Sequence, residues 1–171
     1  VSHLEPLRRR LNQLNDITRR LDDLQMAVGR IEQQLTLPHT QPAAPLKRFE
    51  FKVFSQWGED GIIQYLIRAI AIPTPMFVEF GVHDYRESNT RFLLQHDNWT
   101  GLIMDASQEY IQTIRKDPAY YRHNLRAVRA FIDRENINTL LRENGATGDI
   151  GLLSIDIDGN DYWVWEAIDC I

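Results

Sequence analysis

A single cysteine, Cys170, stands in 171 residues, so no intramolecular disulfide can form. No Cys/His cluster has the spacing of a zinc site either. No apolar stretch approaches the roughly 18 residues of a membrane span, and the polar N-terminus does not read as a secretory signal. Positive charge is also short, with 19 Lys and Arg against 24 Asp and Glu for a net −5. That argues against nonspecific binding to nucleic acid or anionic membranes, because phosphate contacts need clustered cations. Internal repeats and low-complexity tracts are missing, apart from one run of prolines. What remains is 43% hydrophobic and 25% charged, the composition of a folded, soluble protein. The cytoplasm is the expected setting. The length suits one ordinary domain plus an appendage, and a chain opening on Val1 rather than Met is expected to be processed or cut from a longer one.

The appendage is residues 1–36. Leu4, Leu7, Leu11, Leu14, Ile17, Leu21, Leu24, Val28, Ile31 and Leu35 are spaced 3, 4, 3, 3, 4, 3, 4, 3 and 4 apart, with no aromatic residue among them. This is the seam of a coiled coil with one three-residue stammer after Leu14. Ser2 with Glu5 forms a capping box, and Pro6 suits the first turn. So long and narrow a seam needs a partner, most simply the same helix of another subunit, and self-association through residues 4–35 is expected. The alternative is a helix folded back on its own domain. Residues 37–48 follow as a spacer in which Pro38, Pro42 and Pro45 disfavour helix.

From residue 49 to 171 the pattern alternates. Helices are expected at 59–70, 88–95, 109–115, 133–143 and 162–168, and strands at 76–80, 102–104, 125–132 and 150–157. Short connections between them predict a parallel α/β sheet with right-handed crossovers. Three apolar runs end abruptly in acidic residues or glycine: Phe77-Val-Glu-Phe-Gly81, Gly101-Leu-Ile-Met-Asp105 and Leu152-Leu-Ser-Ile-Asp-Ile-Asp-Gly-Asn-Asp161. Buried parallel strands read this way where their C-terminal ends open onto a crevice, and ligands bind at that edge.

Of the dinucleotide fingerprint Gly-x-Gly-x-x-Gly, only the first glycine is present in Gly81-Val-His-Asp-Tyr-Arg86. A pyrophosphate needs the full glycine turn, so a nicotinamide cofactor is disfavoured and S-adenosylmethionine fits better. Glu79 could meet that cofactor's ammonium or sulfonium charge, or it could cap the next helix. Asp105, followed closely by Ser107, stands where an acidic side chain accepts from ribose hydroxyls, although Asp and Ser also commonly cap helices. Asp133 could read adenine, but a helix cap is favoured there. Asp156 and Asp158, two apart on one strand, would share a face. Two carboxylates that close suggest a general base, a sulfonium partner or a metal site. A calcium loop is rejected, because Asp161 stands where glycine is needed and Ala167 where a bidentate Glu is needed. His83, in the loop after the first strand, is a candidate acid or base. Trp57 and Tyr85 are expected near the crevice.

Ser55-Gln-Trp-Gly-Glu-Asp-Gly61, Phe77-Val-Glu-Phe-Gly81, Glu87-Ser-Asn-Thr90 and Leu153-Ser-Ile-Asp-Ile-Asp-Gly-Asn-Asp161 together resemble the FkbM-like S-adenosylmethionine-dependent methyltransferases. The resemblance covers about residues 49–171. It implies a Rossmann-like domain that methylates a hydroxyl, often on a sugar or natural product. By motif position it places Gln56, Glu79, Gly81 and Asp105 on the cofactor and Asp156 and Asp158 at the transfer site. Asp158 would be the base, and the pair could also hold a divalent ion. The complete fold of that family has about seven strands, so four strands imply a C-terminally incomplete domain. A noncatalytic coiled-coil scaffold carrying a truncated domain is the alternative.

Overall fold

The heptad-spaced leucines form one long helix, α1 (Leu4–Thr36). The computed structural model describes residues 4–36 and 45–171. The Ser2 capping box and the spacer prolines Pro38 and Pro42 lie outside the described residues.

Two stripes run along α1. Leu7, Leu11, Leu14, Ile17, Leu21, Leu24, Val28 and Ile31 are 47–63% exposed. Asp22, Met26, Gly29 and Gln33 sit two positions earlier than seam residues, about 200° around the helix, and face the globular domain. Met26 joins Phe51, Val53, Phe54 and Phe92 in a buried cluster. Gly29 packs so closely that a Cβ would lie 2.3 Å from Val53 Cγ2. Gln33 is buried, donates to Gln64 Oε1 and lies 2.8 Å from His96 Nε2. The helix therefore does lie on its own domain, but through the face opposite the seam.

The domain contains four strands, β1 (Met76–Phe80), β2 (Thr100–Asp105), β3 (Leu125–Arg129) and β4 (Leu152–Ile155). All pairs are parallel, in the order β3-β2-β1-β4, an α/β arrangement consistent with a Rossmann-like fold. Around the sheet are α2 (Glu59–Ala69), α3 (Arg91–His96), α4 (Gln108–Ile114), α5 (Pro118–Arg122), α6 (Ile137–Glu143) and α7 (Asp161–Ala167). Side chains alternate across a strand, and the core divides accordingly. Phe77 and Ile103 pack with Leu93, Leu94, Ile111 and Ile114 from α3 and α4. Val78, Phe80, Leu102 and Met104 pack with Ile137, Leu141 and Val164 from α6 and α7. Both faces of the sheet are thus covered, as a parallel sheet requires. β4 is an edge strand, and all its residues are half-buried. Leu153 and Ile155 line a groove of about 410 Å3 with Asp161, Tyr162 and Trp165.

Several elements differ from their sequence patterns. The third helix starts at Arg91 rather than 88, because Ser88–Thr90 bond elsewhere: Ser88 N–H donates to the Phe54 carbonyl. β3 stops at Arg129, and α6 starts at Ile137 because Asp133 closes a turn before it. β4 stops at Ile155, so Asp156 and Asp158 are not on the strand and the shared-face argument fails for them. On α2 the fully buried residues are Asp60, Gly61 and Gln64, and Ile63 and Ile67 pack half-buried against the core. α5 was not expected, although Asp117 caps it and Pro118 occupies its first turn. No helix among the described residues is long and apolar enough to cross a membrane.

Candidate functional site

The chain moves from β1 through β2 to β3 on one side of the sheet and then crosses to β4 on the other. The strand order therefore reverses at β1, and the switch point between the C-terminal ends of β1 and β4 is where open α/β sheets bind ligands. Gly81 forms the floor there. Its φ is +74°, and a Cβ would lie 1.7 Å from the Asp156 carbonyl oxygen. Only glycine lets the end of β1 approach β4 this closely. The loop that follows is strained, with His83 at φ 48° and Tyr85 at φ 64°. Such non-glycine residues with positive φ cluster at functional sites.

Glu79 is buried beneath this loop at 4% exposure. Its Oε1 accepts from Asn89 N–H at 2.9 Å and Ser154 Oγ at 3.3 Å, and its Oε2 accepts from Thr90 Oγ1 at 2.6 Å. Thr90 Oγ1 is also 3.0 Å from the Tyr85 hydroxyl. Glu79 therefore serves the helix-start reading, tying the segment before α3 to β1 and β4. Burial raises its carboxyl above the ordinary value and outweighs the lowering by these donors. A raised folded-state value means that the neutral form suits the fold. That contribution is present below the ordinary glutamate value and is lost as pH rises through the folded value. As pH rises above the ordinary glutamate value, melting temperature should therefore fall more steeply in the wild type than in Glu79→Gln. Parallel slopes in thermal unfolding would show that Glu79 carries no such linkage.

Asp105 closes β2 and is 7% exposed. Its Oδ2 accepts from His83 N–H at 2.9 Å and its Oδ1 from Ser107 N–H at 2.7 Å. Asp105 thus pins the glycine loop to the start of α4, but the helix cap is Ser107, whose Oγ accepts from Tyr110 N–H. A carboxylate has about four acceptor positions, so each oxygen of Asp105 keeps capacity for a further donor. The exposed His83 ring lies 5.4 Å from that of Tyr110. Tyr85 is buried rather than lining the crevice, and Trp57 is 76% exposed.

The loop carrying Gln56 is fixed by a residue to which sequence reasoning assigned no role. Asp60 Oδ2 accepts from the N–H groups of Val53, Phe54 and Ser55 at 2.7–2.8 Å and from Ser55 Oγ at 2.9 Å. Burial raises its carboxyl above the ordinary value. Gln56 itself is exposed, and its carbonyl accepts from Lys52 Nζ. Arg91 is a second unassigned residue. Buried between Phe54 and Tyr85, it pairs with Asp117 at 2.9 Å and donates to the Tyr85 carbonyl.

Beyond β4, Asp156 and Asp158 are exposed, and Asp158 has φ 55°. Their turn is held by Asp161, which accepts from Ile157 and Gly159 N–H and whose carboxyl lies below its ordinary value because of these bonds. Among the described residues no three His, Cys, Asp or Glu come together to hold a metal ion. Asp133 accepts from Glu135 and Asn136 N–H, closing a turn just before α6 rather than capping the helix, whose N-cap is Asn136. It also lines a cavity of about 350 Å3 with Asn160, Trp163 and Val164. The site thus joins Glu79, Gly81, Asp105, His83 and the turn after β4. Asp133 stands apart at the end of β3, bonded only to its own turn among the partners described. No family model, no curated protein and no solved structure matches this chain.

Proposed function

We propose that the domain is an S-adenosylmethionine-dependent methyltransferase acting on a hydroxyl of a sugar, glycan or small molecule. It would work in the cytoplasm and self-associate through residues 4–35. Asp105 carries this reading: it is a buried carboxylate at the end of the strand next to β1, bonded to the glycine loop and with acceptor capacity left on both oxygens. That chemistry suits a ribose diol. The cavity beside Asp133 and Trp163, at about 350 Å3, falls within the size range of small-molecule pockets and could seat a flat base. Glu79 does not suit direct contact with a sulfonium, since it is 4% exposed and three of the chain's own donors already take most of its acceptor positions, against two for Asp105. Its part is to hold the Ser88–Thr90 segment in place.

Bound S-adenosylmethionine would supply an electrophilic methyl group, and its carbon–sulfur electron pair would leave with the sulfur. The residues of the chain would orient the acceptor in line and take its proton. Asp158, exposed on a turn fixed by Asp161, is the group proposed to accept the hydroxyl proton as the new carbon–oxygen bond forms. One observation favours the noncatalytic scaffold: the structural use of Glu79 requires no cofactor.

Titration calorimetry with S-adenosylmethionine tests the proposal. Saturable binding is expected for the wild type. For Asp105→Asn, which keeps an oxygen for His83 N–H, affinity should fall by about 10- to 100-fold, the size of lost charge-assisted hydrogen bonds. A folded wild type that binds nothing would remove the catalytic reading and leave the scaffold.

A further inference from the structure

We infer that the seam of α1 pairs, parallel and in register, with α1 of a second copy of this chain, while the opposite face stays clamped to its own domain. This rests on the self-association proposed above and adds the orientation of the copies and the manner in which the domains are carried.

The first support is that the two faces of α1 are already divided. Met26, Gly29 and Gln33 are buried against the domain, so the domain cannot also cover the seam. The eight seam residues from Leu7 to Ile31 remain 47–63% exposed. Together they present on the order of 900 Å2, comparable with the roughly 800 Å2 that each partner gives to a standard interface. Their spacing selects the occupant. A helix lying on a globular surface carries a wider apolar stripe, whereas a repeat of about 3.5 residues is that of a helix wound around another helix.

The second support is the stammer. The three-residue step from Leu14 to Ile17 breaks the alternation of threes and fours, so a partner seam stays in phase only if it carries the same break at the same level. A parallel copy in register does so. An antiparallel copy that pairs Leu7 with Ile31 would instead set the four-residue step from Leu7 to Leu11 against the three-residue step from Val28 to Ile31, and the three-residue step from Leu11 to Leu14 against the four-residue step from Leu24 to Val28, so the layers would lose phase. In the parallel register Arg10, Arg20 and Ala27 flank Asn15, Gln25 and Glu32 of the neighbouring helix, so no like charges meet. The clamped face is about 200° from the seam, which puts both domains on the outside of the pair. No residue from 5 to 21 is buried, so this half of the helix extends beyond the domains as a paired stem.

Sedimentation equilibrium and one engineered thiol test the inference in the full chain. The wild type should weigh at least twice the 20.0 kDa of a single chain, and Leu14→Glu should return it to one. In a Cys170→Ser background, Leu14→Cys should form an intermolecular disulfide under mild oxidation, since parallel copies bring position 14 against itself. An antiparallel pair with Leu7 against Ile31 would hold these thiols about 15 Å apart, beyond bridging distance. A monomeric wild type would overturn both the association and its geometry. A multimer without the disulfide would overturn the parallel register alone. Gly29→Leu, which cannot seat against Val53, should increase hydrogen exchange across residues 22–33 and leave the mass unchanged. A drop to one chain in that variant would mean that the clamped face, not the seam, joins the copies.

Discussion

Gly81→Ala is expected to destabilise the chain by about 2–5 kcal/mol and to abolish the proposed S-adenosylmethionine binding. Two costs add. An L-residue at φ +74° loses roughly 1–2 kcal/mol in the left-handed region. The new Cβ would also stand 1.7 Å from the Asp156 carbonyl oxygen and 2.8 Å from its carbon. Those are backbone atoms, so β1 and β4 must part, and overpacking of this kind costs about 1–3 kcal/mol or more. A urea titration checks this, with the midpoint falling and the slope unchanged. A loss under about 1 kcal/mol would contradict so close an approach of the two strand ends.

Asp60→Ala should have an effect of similar size for a different reason. One carboxylate oxygen gathers three consecutive backbone N–H groups and a hydroxyl, all buried. Removing it leaves three donors without partners, each costing about 1–3 kcal/mol. Against a typical domain stability of roughly 5–15 kcal/mol, a loss on the order of 3–9 kcal/mol brings the chain close to unfolding. Asp60→Asn retains an acceptor oxygen and should fall between wild type and Ala in the same titration. Equal loss in the two variants would show that the charge, rather than the acceptor, holds residues 53–55.

What could be read from the sequence was whatever has a local period. The seam of α1 and the starts of β1 and β3 follow from spacing alone. Strand ends do not. The apolar run of β4 continues to Ile157, but its partner β1 turns away at Gly81, so pairing stops at Ile155 and the two aspartates fall on a turn. The clamped face of α1 was hidden for a related reason. Met26, Gly29 and Gln33 do not read as a hydrophobic stripe, because the contact is made by a close-packed glycine and a buried amide. Glu79 left two readings open, because Thr90, Asn89 and Ser154 lie 10 to 75 positions away. Asp60 stood within a motif whose residue types were visible, but its three backbone donors become apparent only once the chain folds over it.

Since every ladder in the sheet is parallel, no pair of strands can zip up from a hairpin. α1 can form from neighbouring residues in about a microsecond, and β1, β2 and β3 meet across moderate loops. β4 must return past them to reach β1, and the Glu79–Ser154 bond spans 75 positions. Closing so long a loop has an entropic cost before any contact offsets it, so β4 is expected to join the sheet after β1, β2 and β3. The junction of β1 and β4 is thus expected to be the last part of the sheet to form. A chain that has not yet made it would hold its helix and most of its sheet, but not the switch point where Gly81 meets the turn after β4.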